Sequence, residues 1–512
     1  MRIPSLHALR RRRLLALSLV VPLILAGACR PLTANAPLPL GAAASTPGES
    51  GDRQYPAASG GPTGFGLLTV IPDSTGSTSS PEALRASASI GVRYLRVNLD
   101  WAVSEPQPGG LTFTTDNDRR IQSIEQSGLR LFPTLYVGRG WMNGAPAENR
   151  DQGSRSYPPA DLGTEWSDEY GFSRGYYDFV TMFFTHYRGH FDYVAIENEA
   201  NSARFWGGTA EEYVRLIRTA YKAIKAADPD VVVVDSGFVS NLWGLCIADD
   251  DLQSALKSRD EVVQFAIDYY RAETARIQIR SEADLMRMLA EDSVQEQCRR
   301  ARYILQGMAG SVDAISFHFY EDYRLIPFVV DWIRYRTQLA GYAPSVITNE
   351  MGQRGPDVAF AETEAHAESV FKKLVTARAL GAQVVVWFSA DTIGKPVPSP
   401  DKVGLFAPGG EMRPAAETFR VVSESLGPEL RLWAAPATGP GLFHYVFGDA
   451  TGQPAVEALW LEGGRQSVVL RVPPGRTNAV EVDFLGRTHA LNPTDGAVSV
   501  EAGDGPLFII WS

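Results

Sequence analysis

Two Asn-Glu dipeptides, Asn198-Glu199 and Asn349-Glu350, stand 151 residues apart in a chain of 512. Each follows a short apolar run, Tyr193-Val-Ala-Ile196 and Ser345-Val-Ile-Thr348. Runs of this length between helical patterns read as buried strands. Two carboxyl groups carried to the ends of two strands, facing each other across a cleft, can break a glycosidic bond. One protonates the leaving oxygen and the other attacks the sugar carbon.

The elements that must hold these acids can be traced along the chain. Apolar runs occur at Gly66–Ile71, Tyr94–Asn98, Arg130–Tyr136, Tyr193–Ile196, Val231–Val234, Ala314–Phe319, Ser345–Thr348 and Gln383–Phe388. They are continuous rather than alternating, as suits parallel strands covered on both faces. Helical patterns separate them. The clearest begins at Thr209-Ala-Glu-Glu212, a capping box. Its apolar residues Tyr213, Leu216, Ile217, Ala220 and Ile224 recur at helical spacing, and Asp228-Pro229 stops it. A second runs from about Ala361 to Ala379. Eight strands alternating with helices predict an α/β fold, a (β/α)8 TIM barrel, over residues 63–427. A doubly wound open sheet is the rival. Its first turn would carry a glycine-rich phosphate loop, and Pro72-Asp-Ser-Thr-Gly-Ser fits no such fingerprint. Barrel active sites lie at the carboxyl ends of the strands, where Glu199 and Glu350 would stand after the fourth and seventh.

With the acids in that order, the chain resembles the clan A glycoside hydrolases, which include cellulases, mannanases and β-xylosidases. Its layout is most similar to the β-xylosidase-like family 39 and the cellulase-like family 5. The resemblance covers roughly residues 64–425. It implies Glu199 as acid/base and Glu350 as nucleophile of a retaining mechanism. Gly91-Val-Arg-Tyr-Leu-Arg96 resembles the clan's second strand, whose Arg lies near the nucleophile. Ser316-Phe-His318-Phe-Tyr320 resembles the sixth, which offers His and Tyr to the site. Trp387 matches the tryptophan that floors the sugar pocket. Ala200 departs from the Pro that is commonest after the acid/base.

Elementary chemistry gives these residues sensible roles. Arg96 would hold Glu350 ionised by charge pairing. Tyr320 would donate a hydrogen bond to it. Glu199, in a less solvated spot or facing the charge of Glu350, would keep a proton. Asn198 would bond a sugar hydroxyl next to the reacting carbon. Retention requires the carboxyl groups about 5–5.5 Å apart, and a gap beyond ~7 Å would point to inversion or to no catalysis. Structural readings compete: Arg96 as an internal ion pair, His318 as a core histidine, Trp387 as core filler. Glu197 points the same way as Glu199 by alternation and could line the lower cleft. Glu105 and Glu321 lie just past strand ends as secondary candidates.

Other chemistries fit poorly. The seven histidines are scattered, without His-x-His or His-Glu-x-x-His, so no metal is expected. Gly-x-Ser-x-Gly is absent. No cofactor is needed. The loop from Gly138 to Tyr170 holds Trp141, Met142, Asn143, Tyr157 and Trp166, and Arg204, Phe205 and Trp206 follow Glu199. Such aromatics suit stacking subsites, with Trp141 and Trp206 foremost, or simply pack the loops. Between the fifth and sixth strands, residues 240–310 form a helical insertion far longer than an ordinary connection.

Residues 1–28 carry five arginines, no acid and an apolar stretch from Leu14 to Leu25, followed by Ala26-Gly-Ala-Cys29. This reads as a bacterial-type export signal. Cys29 then stands where a lipoprotein takes its lipid, and ordinary cleavage beside an incidental cysteine is the alternative. The Arg run also loosely resembles a twin-arginine signal. Of three cysteines, Cys246 and Cys298 remain, both inside the insertion. An oxidising compartment favours their pairing, and two free buried thiols are the alternative. Residues 29–62, rich in Pro, Gly, Ala, Ser and Thr, read as a disordered tether. Loss of the arginines takes the net charge from −11 to −16, which argues against nucleic acid. Short strands at Leu442–Phe447, Val456–Leu461, Ser467–Val472, Ala479–Phe484, Val498–Val500 and Leu507–Trp511 predict a β-sandwich over 428–512, a structural support more than a carbohydrate-binding module. The expectation is a monomeric, exported or envelope-anchored retaining glycosidase. It would act on an oligo- or polysaccharide and touch the membrane only through its anchor. An inactive carbohydrate-binding barrel and a transglycosylase remodelling a surface polysaccharide are the alternatives.

Overall fold

The computed structural model describes residues 62–68, 81–110, 115–138, 140–145, 155–254, 257–271, 277–356, 359–390, 403–407, 411–436 and 439–512. The expected export signal, Cys29, the expected tether up to residue 61 and the far end of the first apolar run lie outside them. Among the described residues no helix is long and apolar enough to cross a membrane.

Eight parallel strands close into a barrel: β1 (Gly64–Leu67), β2 (Tyr94–Asp100), β3 (Arg130–Tyr136), β4 (Tyr193–Ile196), β5 (Val232–Val234), β6 (Ala314–Phe319), β7 (Ser345–Gly352) and β8 (Val384–Phe388). β1 pairs with β8, so no edge is left open. Strand alternation sorts the side chains into two layers. Tyr94, Phe132, Tyr193, Ala195, Val234, Ala314, Ile347, Val384 and Val386 fill the lumen. The alternate residues pack outwards against the helices. The lumen is thus a plugged core, and any site must sit above it, at the carboxyl ends.

Local chemistry sets the helix starts. Thr209 accepts from the Glu212 amide, and Glu212 accepts from the Thr209 amide, capping the helix Ala210–Ala227. Asp228 ends it before Pro229, as expected. The pattern from Ala361 is broken in two. A 3-10 turn at Ala359–Glu362 gives way to a helix at Glu364–Ala379, capped by Thr363.

Among its described residues the insertion contains four α-helices: Trp243–Ser254, Arg259–Tyr269, Glu282–Leu289 and Asp292–Gly307. A Cys246–Cys298 disulfide, with Cα atoms 5.3 Å apart, joins the first to the last.

The carboxyl-terminal region holds β9 (Arg431–Ala434), β10 (Leu442–Gly448), β11 (Pro454–Leu461), β12 (Gln466–Arg471), β13 (Ala479–Asp483), β14 (Thr488–Leu491), β15 (Ala497–Ala502) and β16 (Leu507–Trp511). Six form one sheet in the order β14-β13-β16-β11-β10-β9, and β12 pairs with β15 as a second. Leu459, Leu470, Val498, Val500, Ile509 and Trp511 pack together as the core of this region. β9 and β14 escape the sequence reading because they are only four residues long and none of their residues is fully buried.

Candidate active site

Above the lumen plug lies a polar layer. Arg96, one pleat above Tyr94 on β2, is 1% exposed and donates to four acceptors. These are Thr134 Oγ1 at 2.9 Å, Asn349 O at 2.9 Å, Glu350 Oε2 at 3.0 Å and Asn198 Oδ1 at 2.7 Å. One guanidinium therefore reaches both Asn-Glu dipeptides.

Glu350 reaches the layer through a bulge. Ser316 on β6 pairs with Ile347, but His318, two residues on, pairs with Glu350, three residues on. The same extra residue appears against β8, between Thr348 and Met351. A bulge lets two successive residues face one side. Asn349 and Glu350 accordingly both point inward, and β7 runs on to Gly352 instead of ending at Thr348. Tyr320 donates to Glu350 Oε1 at 2.6 Å. Burial, and then the charge of Glu350, push the Tyr320 pKa well above its ordinary value, so it stays a donor.

Glu199 follows β4 in a turn whose Glu197 and Glu199 both have positive φ, 65° and 46°. Ser236, after β5, receives the Glu199 amide on its carbonyl at 2.9 Å and the Ala200 amide on its hydroxyl at 3.1 Å. His318 Nδ1 stands 2.8 Å from Glu199 Oε1, and Nε2 stands 2.9 Å from Asn349 Oδ1. With an amide oxygen facing Nε2, that nitrogen carries a hydrogen. Nδ1 and Glu199 are then left to share the next proton. Burial drives the imidazole towards neutrality. The Glu350 charge and the Glu199 bond outweigh it, so the His318 pKa is raised. Gly237 makes room for this ring. Its φ is +67°, and a Cβ there would lie 2.3 Å from His318 Nε2.

Carboxylate oxygens of Glu199 and Glu350 and a ring nitrogen of His318 lie within 4.8 Å of one another. This is the one place among the described residues where donor atoms converge closely enough for a shared cation. A cation there would meet the Arg96 guanidinium already seated on Glu350. The arrangement suits a proton better.

The structure brings Glu199, Glu350, Asn198, Arg96, His318 and Tyr320 together. Arg96 and His318 are too buried to meet a substrate and act on the two acids from behind. Three expectations need correction. Trp387 is 0% exposed and lies in the outer layer, because its neighbours Val384 and Val386 take the lumen side. Phe388 takes the inward place instead, with its ring 6.1 Å from that of Tyr320. Trp206 is buried under the helix start, edge-on to Tyr213, with its indole bonded to Thr209 O. Glu197 does not line the cleft: its positive φ turns it out of the lumen, onto Val137 N and Ser156.

Trp141 stays 38% exposed, its indole bonded to Glu105 O and its ring against Trp101. Trp166 packs edge-on to Phe172, with Lys222 of the Ala210–Ala227 helix over its ring. Glu105 is a buried brace for Trp101 and Gly109, and Glu321 bonds Ser240 and Arg354. Sequence reasoning missed Thr134, Ser236, Gly237, Ser316 and Phe388. Of these only Phe388 left a signal, the period-two count from Val384.

No family model matches the chain, and no curated protein does. Solved structures do. It is similar to a family 39 glycoside hydrolase from the gut symbiont Bacteroides cellulosilyticus WH2, at 12% identity and TM-score 0.57, covering 88% of this chain and 81% of that one. A GH30 endoxylanase from Clostridium papyrosolvens C71 matches at 11% identity and TM-score 0.53, covering 89% and 98%. A GH39 β-xylosidase from Caulobacter crescentus matches at 14% and 0.52, covering 89% and 98%. The fold expected from the sequence, a closed barrel of eight parallel strands followed by antiparallel sheets, is the fold the chain has.

Proposed function

We propose that the protein is a retaining glycoside hydrolase. Glu350 attacks the anomeric carbon while Glu199 gives its proton to the leaving oxygen. Glu199 then takes a proton from water, and that water displaces Glu350 from the sugar. The observation that carries this reading is that one oxygen of each carboxylate lies within 4.8 Å of the other, with Arg96 and Tyr320 on one acid and His318 on the other. Inverting pairs stand roughly 6.5–9.5 Å apart to admit a water between them. Arg96 and Tyr320 favour an ionised Glu350, the form a nucleophile needs. His318 offers Glu199 a partner for the proton it must give and take back. Asn198, held by Arg96, and Phe388 and Trp141 face the sugars. Fold neighbours named as a β-xylosidase and an endoxylanase make β-linked pentose polymers the first substrates to try. The amino-terminal arginines, apolar stretch and Cys29 support an exported, envelope-anchored enzyme.

The test is sugar release from xylan, glucan and mannan and from aryl β-glycosides, for the wild type beside Glu350→Gln. Wild-type activity that falls roughly a thousandfold or more in the variant is expected. Proton NMR should show the retained anomer forming first. Activity surviving in the variant would overturn the assignment of the nucleophile. Silence of the wild type would favour a binding barrel.

A further inference from the structure

Glu197 is unused by this mechanism, yet it is buried two residues from the proposed acid. It is 1% exposed and sits in left-handed backbone, which a residue with a Cβ adopts only when its surroundings impose it. Strand alternation would send its side chain into the lumen above Ala195. It turns the other way, and main chain and side chain both grip the end of β3. The Glu197 amide donates to Leu135 O at 3.0 Å. Its Oε1 accepts from Val137 N at 2.8 Å and from Ser156 Oγ at 3.0 Å.

Ser156 lies within the long loop that follows β3, from Gly138 to Tyr170, and it is stitched to the chain that leaves the acid. Its amide donates to Phe205 O at 2.8 Å, and its carbonyl accepts from Gly207 N at 2.8 Å. The turn between closes on Glu199 itself, whose carbonyl accepts from Ser202 N at 2.8 Å. A ring of bonds therefore runs from Glu197 through Ser156 and residues 202–207 back to Glu199. Ser236 holds the same turn from the β5 side. Glu350 and Tyr320 lie outside this ring, and Arg96 touches it only through Asn198 Oδ1 at 2.7 Å.

We propose that Glu197 is a positioning residue for the acid/base. Its carboxyl fixes the left-handed turn that aims Glu199 at the leaving oxygen, and it has no part in holding the nucleophile. The proposal rests on the reading of Glu199 as acid/base. Burial keeps the Glu197 carboxyl protonated into the neutral range, against the pull of Val137 N–H and Ser156 O–H and with help from the charge of Asp100. Tyr176 and Tyr213 also face it. A glutamine should therefore replace it with little change.

The consequence is specific. A misaimed acid harms departure of a poor leaving group and spares a good one, whereas general damage to the fold or the nucleophile harms both. The experiment measures kcat/KM for 2,4-dinitrophenyl, 4-nitrophenyl and phenyl β-D-xylosides and β-D-glucosides. The proteins are the wild type, Glu197→Gln, Glu197→Ala, Ser156→Ala and Glu199→Ala, each checked for folding by circular dichroism. Glu197→Ala should lose at least about tenfold more on the phenyl than on the dinitrophenyl glycoside, a fraction of a general acid's whole contribution. Ser156→Ala should lean the same way. Glu197→Gln should stay within about threefold of wild type on all three, since it keeps the acceptor. Equal losses across the series in Glu197→Ala, or none, would overturn the proposal. If Glu199→Ala shows the selective loss and Glu197→Ala does not, only this inference fails. If Glu199→Ala shows no such selectivity, or the wild type cleaves no glycoside, the parent reading fails and takes the inference with it.

Discussion

Arg96 joins the two halves of the site, and its removal should report on both. With the guanidinium gone, Glu350 loses the opposite charge that favours its carboxylate. Its proton is then held to higher pH, so the acid limb of the kcat/KM profile of Arg96→Met should move upward, by about one unit or more. An unmoved limb would show that Arg96 serves packing alone. Gly237→Ala tests the other partner. Its Cβ must displace the His318 ring, so activity should fall at least about tenfold, with a stability loss of about 1–3 kcal/mol in thermal unfolding. Glu197 gives a pH signature of its own. Its folded pKa is raised to about 8 from 4.5, so the stability it contributes is complete below about 4.5 and is lost as pH rises through 8. Glu197→Gln should flatten the decline in melting temperature across that window. Most of these residues were legible, because an Asn-Glu pair at a strand end is rare enough to mean something. Trp387 was not, since residue type pointed to tryptophan while the pleat assigned the inward place to Phe388. Glu197 was misread because alternation assumes extended backbone, and its φ is positive.

At the scale of elements, strand order and helix caps were readable and local irregularities were not. Thr209-Ala-Glu-Glu212 announces its helix because a capping box depends on four adjacent residues. The β7 bulge has no local signature. It exists only as a mismatch in count against β6 and β8, yet it is what turns Glu350 inward beside Asn349. The insertion is a similar case. Its cysteines suggested a bond, but only the structure shows what the bond secures. Trp243, three residues before Cys246, donates from its indole to the carbonyl of His318 at 3.0 Å. The disulfide spans 52 residues, and a loop of that size corresponds to about 4 kcal/mol in the chain-entropy account. The Cys246→Ser, Cys298→Ser double variant should therefore melt several degrees lower. It should also lose activity near its own melting range before the barrel unfolds, because the helix behind His318 loosens first. Coincident loss of activity and of barrel structure would show that the insertion and the barrel form one cooperative unit.

For the whole molecule, the carboxyl-terminal sheets bear on the same strand ends that hold the site. Tyr323 lies three residues past Tyr320. Its hydroxyl donates to Glu462 Oε1 at 2.6 Å and accepts from the Trp460 indole at 2.9 Å, while Arg324 bonds Glu462 Oε2 at 2.9 Å. Beside this polar clasp, Phe371 of the Glu364–Ala379 helix meets Phe508 at a ring distance of 4.5 Å, and Thr418 bonds Phe484 O. Aromatic packing of this kind, closed by hydrogen bonds at its edge, resembles a domain core more than the polar contact of a tethered module. Barrel and sheets should then unfold together. Calorimetry of the intact protein should show one transition. Glu462→Ala leaves the Tyr323 hydroxyl without its acceptor, which costs about 1–3 kcal/mol for a partly buried group, while Arg324 keeps Asp322. It should lower the whole transition by a few degrees without splitting it. Two transitions, with Glu462→Ala moving only one, would mean that the sheets fold as an appendage, and the strand ends around Tyr320 would then owe their order to the barrel alone.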